Sequence, residues 1–496
     1  MVESMDVLIE DVSVLSPDLD GIIEQQNVVI EGGEIVCVTG ERIEPDATTK
    51  RISGVNRLMM PGLISAHTHS PENFLKARIE AMPLEFWLFH LYRASVPFTP
   101  REIYLGAMIG ALELLRTGAT AVVDHFWVNG VMDEVALDAV MEAYRDVGIR
   151  AAVAPLVQDD HKINEMILKQ APDLAAGVYG ASPQMTAAEY LRVLEAFFRK
   201  WHQAEGGRLK CLAGPAGPQW CSRQLMTGAM EIVERYDGGF HMHAEETKLQ
   251  ALSCRQFYGK SSIVHLEELG LLTDRTSLAH CVWVDAHDID LIADADLTVV
   301  HNPVCNLRLG SGFAPIPLMV ERGVHVALGC DGSASNDNQV MFDVMKTAAL
   351  MHTVRDADYR RWLPAKKVLQ MATIEGARVL RCAGQLGFIG PGALADIILL
   401  DITTPAFTPL NNPFRHLVYC ETGSSVRTVL VGGQVVVEDG KVLTVDEDGL
   451  LAEAREVWAQ RASEIPPLSP GERRFLKALD RYRERLLAMP LGIDSC

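Results

Sequence analysis

The segment PGLISAHTHS, residues 61–70, joins a short apolar run to two closely spaced histidines. Residues 63–66 predict a β-strand, because a brief apolar run bounded by Pro and Gly is typical of a buried strand. Side chains at i and i+2 of a strand point to the same face, so His67 and His69 can both face one way at its carboxyl end. Two converging imidazoles could bind a metal. An isolated pair more often marks an ordinary strand-to-loop corner, so the interpretation depends on the rest of the chain.

The middle of the chain alternates apolar strand candidates with helical patterns, such as residues 101–116 and 187–202. Eight strands separated by helices indicate a parallel sheet that closes as a (β/α)8 barrel, an α/β fold of the TIM type. A doubly wound open sheet is the alternative, but the count of eight and the lack of a GxGxxG turn disfavour it. The predicted strands cover residues 63–66, 119–123, 149–154, 209–213, 239–242, 276–279, 297–300 and 324–328.

Both ends of the chain are rich in short β-runs with Gly-containing turns between them. We therefore predict a small β-sandwich domain built from residues 1–58 and 386–448, with the metal-dependent barrel at residues 59–385 between its two parts. Residues 449–496 are rich in Ala, Glu, Arg and Leu and predict a peripheral helical tail, with a subunit contact as one role for it.

Composition excludes several classes of partner. The formal net charge of −20 argues against nucleic acid and against an anionic membrane as partners. No apolar run reaches the ~18 residues of a membrane span, and the acidic first residues lack the basic region of a secretory signal. The ten cysteines are scattered without a framework, which fits free thiols in a reducing cytoplasm. We expect a cytoplasmic protein whose partner is a small molecule.

Polar residues follow the predicted strands at the end of the barrel where such folds carry their chemistry. Three neutral imidazoles and a carboxylate can hold one divalent ion and leave a position for water, and the ion makes that water a hydroxide nucleophile near neutral pH. Glu246 is suited to carry the proton to the departing group. His280 could bind the metal or orient the hydroxide. The residues at these strand ends are His67, His69, His243, Glu246, His280 and Asp331.

A second His-x-His pair, His241 and His243, complicates the fifth predicted strand. His243 lies nearer the mouth of the barrel and precedes Glu246 by three residues, so it is the preferred ligand. We interpret His241 as a histidine packed in the barrel interior.

Seven segments between residues 60 and 401 resemble the amidohydrolase superfamily, and within it the triazine hydrolase and nucleobase deaminase branch. The segments are PGLISAHTHS, PLEFWLF, HAEE, LAHCVWVD, HNPVCNLRLGSG, GCDGSASND and PGALADIILLD.

The resemblance implies one divalent ion, zinc or alternatively iron, bound by a set of four residues. Glu246 is similar to the family's proton shuttle, and His280 is similar to its water-orienting histidine. No lysine ends the fourth predicted strand, so a carbamylated-lysine dinuclear site is disfavoured. The ligands implied are His67, His69, His243 and Asp331.

The segment LAGPAGPQWCS departs from the pattern of the adenosine-type deaminases. Those relatives usually carry a histidine in a PHSPYTCS-like stretch, where this chain has Ala216, with Gln219 in place of the aromatic residue. This puts an adenosine-type substrate in doubt and favours a smaller ring, whose edge Gln219 could read because an amide both donates and accepts.

Four further residues are candidates for substrate binding. Trp87 resembles an aromatic pocket residue of relatives, although packing on an amphipathic helix is equally consistent. His125 follows the second predicted strand at the mouth. Asn302 and Asn306 follow the seventh, where loop capping is the alternative role.

These features predict a hydrolase of C–N bonds other than peptide bonds, which removes an amino or alkylamino group from a ring carbon of a purine, pterin, pyrimidine or triazine. Asp331 would both bind the ion and accept a proton. Displacement of chloride or a thioether from a similar ring is the alternative. A non-enzymatic binding protein on a barrel scaffold is disfavoured, because all ligands are present. Relatives form dimers or larger assemblies, so a homo-oligomer is expected.

Overall fold

Two sheets organise the chain in the computed structural model, which describes residues 5–16, 21–95, 97–130, 132–160, 162 and 185–495. The strands described are β1 Val7–Leu15, β2 Ile22–Glu31, β3 Glu34–Thr39, β4 Lys50–Ser53, β5 Arg57–Pro61, β6 Leu63–Thr68, β7 Ala119–Asp124, β8 Arg150–Val153, β9 Leu156–Val157, β10 Leu209–Pro215, β11 Gly239–Ala244, β12 Thr276–His280, β13 Thr298–His301, β14 His325–Leu328, β15 Ile397–Asp401, β16 Val426–Val431, β17 Gln434–Glu438 and β18 Lys441–Val442.

The first sheet is a nearly closed parallel barrel of eight strands in the order β6-β7-β8-β10-β11-β12-β13-β14, with β9 paired to β10. Two hydrogen bonds join its ends, because the Asp331 N–H donates to the His67 carbonyl over 2.9 Å and the Cys330 N–H donates to Ser65 Oγ over 3.2 Å. The eight predicted strands all occur, and the predicted (β/α)8 architecture is confirmed.

The strands of the barrel are buried on both faces, as parallel strands covered by helices must be. Every residue of β6, β7 and β11 is buried. Alternate residues divide between two apolar clusters: Ala121 and Val123 belong to one, and Val122 belongs to the other. Small residues such as Ala152 and Ala154 share the cluster of Ala121, which leaves room for larger polar side chains at the carboxyl ends of the strands.

The second sheet combines both chain ends in the order β18-β17-β16-β15-β5-β1-β2-β3, with β4 paired to β1. The strands β5 and β15 pair antiparallel, so the two parts of the chain meet in the middle of this sheet. The small β domain predicted from both termini is therefore present, while its predicted boundaries stay predictions. Gly62 connects β5 to β6 where a Cβ atom would lie 2.1 Å from Thr120 Oγ1, so only glycine fits there.

Helices follow the barrel strands, and several of them begin at a side-chain cap. The longest of these, Pro100–Arg116, begins at a capping box in which the Thr99 hydroxyl accepts from the Glu102 N–H and the Glu102 carboxylate accepts from the Thr99 N–H. The described α-helices of six or more residues are Leu84–Ala94, Pro100–Arg116, Glu134–Val147, Ala187–Trp201, Arg223–Tyr236, Lys248–Tyr258, Ser262–Glu268, Ala286–Asp294, Pro303–Arg308, Ile316–Glu321, Met341–Met351, Ala365–Met371, Ile374–Val379, Glu447–Glu464 and Pro470–Leu487.

The C-terminal helices pack more closely on the barrel than the sequence predicted. Phe475 and Leu479 of the last helix are buried against Leu249 and Leu252, which belong to the helix that follows β11. Further along, the Ser495 carbonyl accepts a hydrogen bond of 2.7 Å from the Phe313 N–H. This end of the chain therefore lies against the mouth of the barrel. Among the described residues no helix is long and apolar enough to cross a bilayer.

Candidate metal centre and active site

The four predicted ligands lie together at the carboxyl end of the barrel. Asp331 Oδ1 lies 3.6 Å from His67 Nε2 and 3.5 Å from His69 Nε2. The Nε2 atoms of His69 and His243 are 3.3 Å apart. All four side chains are buried. Three strands that are far apart in sequence, β6, β11 and β14, thus deliver their end residues to one point.

The hydrogen bonds of the Nδ1 atoms decide which nitrogen each histidine presents. His69 Nδ1 lies 2.6 Å from the His125 carbonyl, and His243 Nδ1 lies 2.8 Å from the Ala216 carbonyl. A carbonyl can only accept, so both Nδ1 atoms carry the proton and both Nε2 atoms carry a lone pair. Two lone pairs 3.3 Å apart beside a carboxylate repel each other unless a cation lies between them. The donor set therefore fits a divalent metal ion.

Burial keeps His67 and His243 neutral. It lowers the pKa of His67 and of His243 well below the usual range, and the neighbouring imidazoles lower both further. A neutral imidazole is the form that binds a metal.

Hydrogen bonds to both the backbone and the side chain of Asp331 fix its position. Its φ of 65° is in the left-handed region, which is uncommon for residues other than glycine and is concentrated at functional sites. Thr68 Oγ1 and Gln339 Nε2 donate to its carbonyl over 2.9 Å and 2.7 Å. The Gly332 N–H donates to Oδ1 over 2.7 Å. These bonds fix the direction of the carboxylate.

His280 and Glu246 lie beside the four ligands. His280 Nε2 is 3.6 Å from Asp331 Oδ2 and 3.9 Å from Glu246 Oε2. Gln250 Nε2 donates to Glu246 Oε2 over 3.2 Å. Burial raises the pKa of Glu246 to about 7, and the Asp331 carboxylate also raises it, against the lowering effect of His280. A carboxyl group with such a pKa can take up and release a proton near neutral pH.

Of the predicted substrate-binding residues, Gln219 and Asn302 are buried and only partly hydrogen-bonded. Gln219 Nε2 and Asn302 Oδ1 have no hydrogen-bond partner among the described residues. Asn302 Nδ2 lies 3.5 Å from His280 Nε2. Polar atoms that are buried without partners are costly, and a ligand can satisfy them.

The other three predicted substrate-binding residues each make a contact within the protein, although Asn306 Nδ2 and His125 Nδ1 also lack a hydrogen-bond partner among the described residues. Asn306 Oδ1 accepts from His280 Nδ1 over 2.9 Å. His125 stacks on His243 with ring centres 4.8 Å apart, and its Nε2 donates to the Gly214 carbonyl over 3.0 Å. Trp87 Nε1 donates to the Ala334 carbonyl over 3.2 Å. These contacts place the three residues around the candidate site, where they hold its parts in position.

Three residues that lie beside the candidate site were not among the predicted site residues. His241 is buried in the interior as predicted, and its Nε2 also lies 2.7 Å from His67 Nδ1. The signal in the sequence was the position of His241 two residues before His243, which directs both side chains to the same face of the strand. Gln250 could have been noticed because it lies one helical turn after Glu246. Cys305 gave no such signal, yet its thiol lies beside Glu246 and His280.

Comparisons with known proteins agree with this geometry. Residues 58–436 match the amidohydrolase family. The 5'-deoxyadenosine deaminase of Methanosarcina mazei is 34% identical over 462 residues, which cover 93% of this chain and 99% of that protein. The 5-methylthioadenosine/S-adenosylhomocysteine deaminase of Caldanaerobacter subterraneus subsp. tengcongensis is 32% identical over 455 residues, which cover 91% and 98% of the two chains.

Solved structures show the same fold. The zinc complex of atrazine chlorohydrolase from Arthrobacter aurescens TC1 has a TM-score of 0.84 and 27% identity, covering 91% of this chain and 100% of that one. An adenosine deaminase from Xanthomonas campestris with bound zinc has a TM-score of 0.80 and 26% identity, covering 92% and 99%. The chain belongs to the amidohydrolase family.

Proposed function

We propose that this protein, a metal-dependent deaminase, removes an amino or alkylamino group from a ring carbon of an aminopurine, with pterin, pyrimidine and triazine rings as its other candidate substrates. The observation that carries the proposal is the convergence of three imidazole lone pairs and a carboxylate beside Glu246. The deaminases among the relatives support the amino group as the leaving group.

His67, His69, His243 and Asp331 would hold the ion, and we propose zinc, with iron as the alternative. Imidazole and carboxylate suit zinc, and two structural neighbours contain it. A bound divalent ion lowers the pKa of a water molecule and so supplies a nucleophile at neutral pH.

The side chains around the ion move the protons. Glu246 would protonate a ring nitrogen next to the attacked carbon, and its pKa of about 7 suits a group that must both gain and lose a proton. His280 Nε2 carries a lone pair when Nδ1 donates to Asn306, so it can accept a hydrogen bond from the attacking water. Asp331 Oδ2 faces the same space and can accept the second proton. The proton that Asp331 accepts then passes to the amino group, which leaves as ammonia or an alkylamine.

Two amide side chains that lack some hydrogen-bond partners are the candidates for substrate recognition. Gln219 and Asn302 can hydrogen-bond the ring edge, because each keeps a buried polar atom without a partner among the described residues. Ala216 stands where the adenosine-type deaminases usually carry a histidine, and its side chain is smaller. The relatives' names include adenosine derivatives and the neighbours include a triazine hydrolase, so both ring sizes belong in a substrate screen.

Displacement of chloride or a thioether is the second candidate reaction. The structural similarity to an atrazine chlorohydrolase, with a TM-score of 0.84, supports this second candidate. The same nucleophile can attack a ring carbon that bears either leaving group. A homo-oligomeric state, a cytoplasmic location and the absence of nucleic-acid or membrane partners stay predictions.

The experiment is to measure ammonia release by zinc-loaded protein across aminated purines, adenosine derivatives, pterins, pyrimidines and triazines, with Glu246→Gln as the inactive control. Release from one ring class that the control lacks would support deamination and identify the substrate class. No ammonia from any compound, together with chloride or thiol release from substituted triazines, would overturn deamination in favour of the second candidate.

A further inference from the structure

The thiol of Cys305 lies inside the candidate active site, although neither the ligand set nor the proton carriers include it. Cys305 is on the helix Pro303–Arg308 that follows β13, and it is 1% exposed. Its Sγ, a carboxylate oxygen of Glu246 and a nitrogen of His280 all lie within 4.8 Å of one another. Thiolate, imidazole and carboxylate are the three types of side chain that bind zinc in proteins.

The spacing of these atoms is close to that of a zinc site. Bond lengths of about 2.0–2.3 Å in a tetrahedron place neighbouring ligand atoms about 3.5 Å apart. His280 Nε2 is 3.9 Å from Glu246 Oε2, so a small side-chain movement would complete the arrangement. The three groups are buried, so they are positioned by packing.

Asp331 connects this group to the first set of ligands. Its Oδ1 faces His67 and His69 at 3.6 Å and 3.5 Å, and its Oδ2 faces His280 at 3.6 Å. One carboxylate therefore has an oxygen directed at each set. Carboxylates that bridge two ions in this way occur in two-metal sites, whose ions lie about 3.5–4 Å apart.

We propose that Glu246, His280 and Cys305 form a second cation site, bridged to the first by Asp331, which zinc in excess occupies and thereby inhibits the enzyme. Binding converts the Cys305 thiol to a zinc thiolate and releases its proton to solvent, together with the proton of any Glu246 that is protonated, with no change of oxidation state. Inhibition of deamination by the second zinc ion rests on the proposed function, whereas binding of that ion does not.

Inhibition follows from the two side chains that the second ion would take. Glu246 could no longer carry a proton to the ring, and the Nε2 lone pair of His280 could no longer accept a hydrogen bond from water. The second ion must also displace the hydrogen bond from Gln250 to Glu246 and remove the thiol proton. The first set has its lone pairs already directed at one point, so it fills first and the second site fills only in excess metal.

The test begins with wild-type protein that holds one equivalent of zinc. Adding zinc should bring the bound metal, measured by elemental analysis after desalting, to a second equivalent as ammonia release falls. A sulfur shell at about 2.3 Å should appear in the zinc X-ray absorption spectrum at two equivalents and be absent at one. Cadmium as the second ion should give a thiolate charge-transfer band in the ultraviolet.

Cys305→Ser and Cys305→Ala are expected to keep the first equivalent and the basal ammonia release while the inhibitory zinc concentration rises at least tenfold. Cys211→Ser is the matched control, because Cys211 is equally buried and its thiol donates only to the Phe197 carbonyl. The Cys211→Ser variant should bind two equivalents of zinc and be inhibited by excess zinc like the wild type.

Unchanged zinc inhibition and an unchanged second equivalent in both Cys305 variants would overturn the proposal, as would a wild-type spectrum without the sulfur shell at two equivalents. The absorption spectrum needs only wild-type protein, so it decides the question even if a variant does not fold. If no substrate releases ammonia but the second equivalent and the cadmium band depend on Cys305, the second site stands and the proposed function fails.

Discussion

The Nδ1 atom of His67 lies 2.7 Å from the Nε2 atom of His241, so one histidine of β11 is hydrogen-bonded to a candidate ligand of β6. His241 Nδ1 lies 2.7 Å from Ser277 Oγ, which in turn donates to the Phe240 carbonyl over 3.3 Å. The hydroxyl proton is thereby committed to the carbonyl, so the Ser277 oxygen accepts from His241 Nδ1. His241 Nε2 is then the acceptor, and His67 must donate from Nδ1 and present Nε2 to the metal.

Replacing His241 by alanine should weaken metal binding without removing any ligand. His67 would lose the partner that fixes its orientation and tautomer, and losses of this kind reduce metal affinity about 10–100-fold. Competition with a chromogenic chelator measures the change. His287→Ala is the control, because His287 is exposed. Equal affinities of the two variants would show that His241 serves packing alone.

Asp331→Asn should abolish turnover and weaken metal binding, because the amide carries no charge. Asparagine tolerates the left-handed φ of 65°, so the backbone should persist. Thermal unfolding with and without zinc measures binding, since a ligand stabilises the fold by mass action, about 2.7 kcal/mol at 100 times its Kd. Asp439→Asn is the matched control, because Asp439 is exposed and also has a left-handed φ, of 48°. A zinc-induced shift of the same size in Asp331→Asn and wild type would remove Asp331 from the ligand set.

Glu246→Gln should keep the metal and lower kcat about 10²–10⁴-fold, the usual contribution of a proton carrier. The neighbouring Glu245 provides the control, because burial raises its pKa to about 7 as well, while its Oε1 accepts from the Ser262 N–H over 2.7 Å. Glu245→Gln should reduce stability and leave turnover within the same order of magnitude. Loss of zinc in Glu246→Gln would instead place Glu246 among the ligands.

The sequence predicted the barrel and the strand ends that carry the site, because both depend on local patterns. The apolar run at Leu63 and the alternation of strands and helices are readable along the chain. The hydrogen-bond partners of the polar residues cannot be read along the chain. The sequence predicts that Asn306 meets substrate, and this stays a prediction. Its hydrogen bond from His280 was not readable, because that contact is made only when β12 and β13 lie side by side. The burial of Phe475 was unreadable for the same reason, since Phe89, Leu249 and Leu252 of its cluster lie more than 200 residues away in the sequence.

The two domains are joined by a buried ion pair that offers a separate test of stability. Arg150 of β8 donates from Nε to Asp396 Oδ2 over 2.7 Å and from Nη2 to Oδ1 over 2.9 Å. The side chains are 6% and 2% exposed. The Gly432 N–H also donates to Oδ1 over 2.8 Å, and the Asp396 carbonyl accepts from the Gly62 N–H over 2.9 Å. Asp396 therefore holds together β8, the β5–β6 connection and the end of β16.

Arg150→Met should lower the free energy of unfolding by about 3–5 kcal/mol, because it leaves the Asp396 carboxylate buried without its partner. Chemical unfolding of the zinc-loaded protein measures the loss. Pairing the change with Asp396→Leu should recover part of it, since the double variant leaves no unpaired charge. The control is Arg42→Met, because Arg42 pairs with Glu44 while both are 78% or more exposed, and such pairs contribute about 0–1 kcal/mol. If Arg150→Met and Arg42→Met unfold at the same denaturant concentration, the buried pair does not stabilise the junction of the two domains.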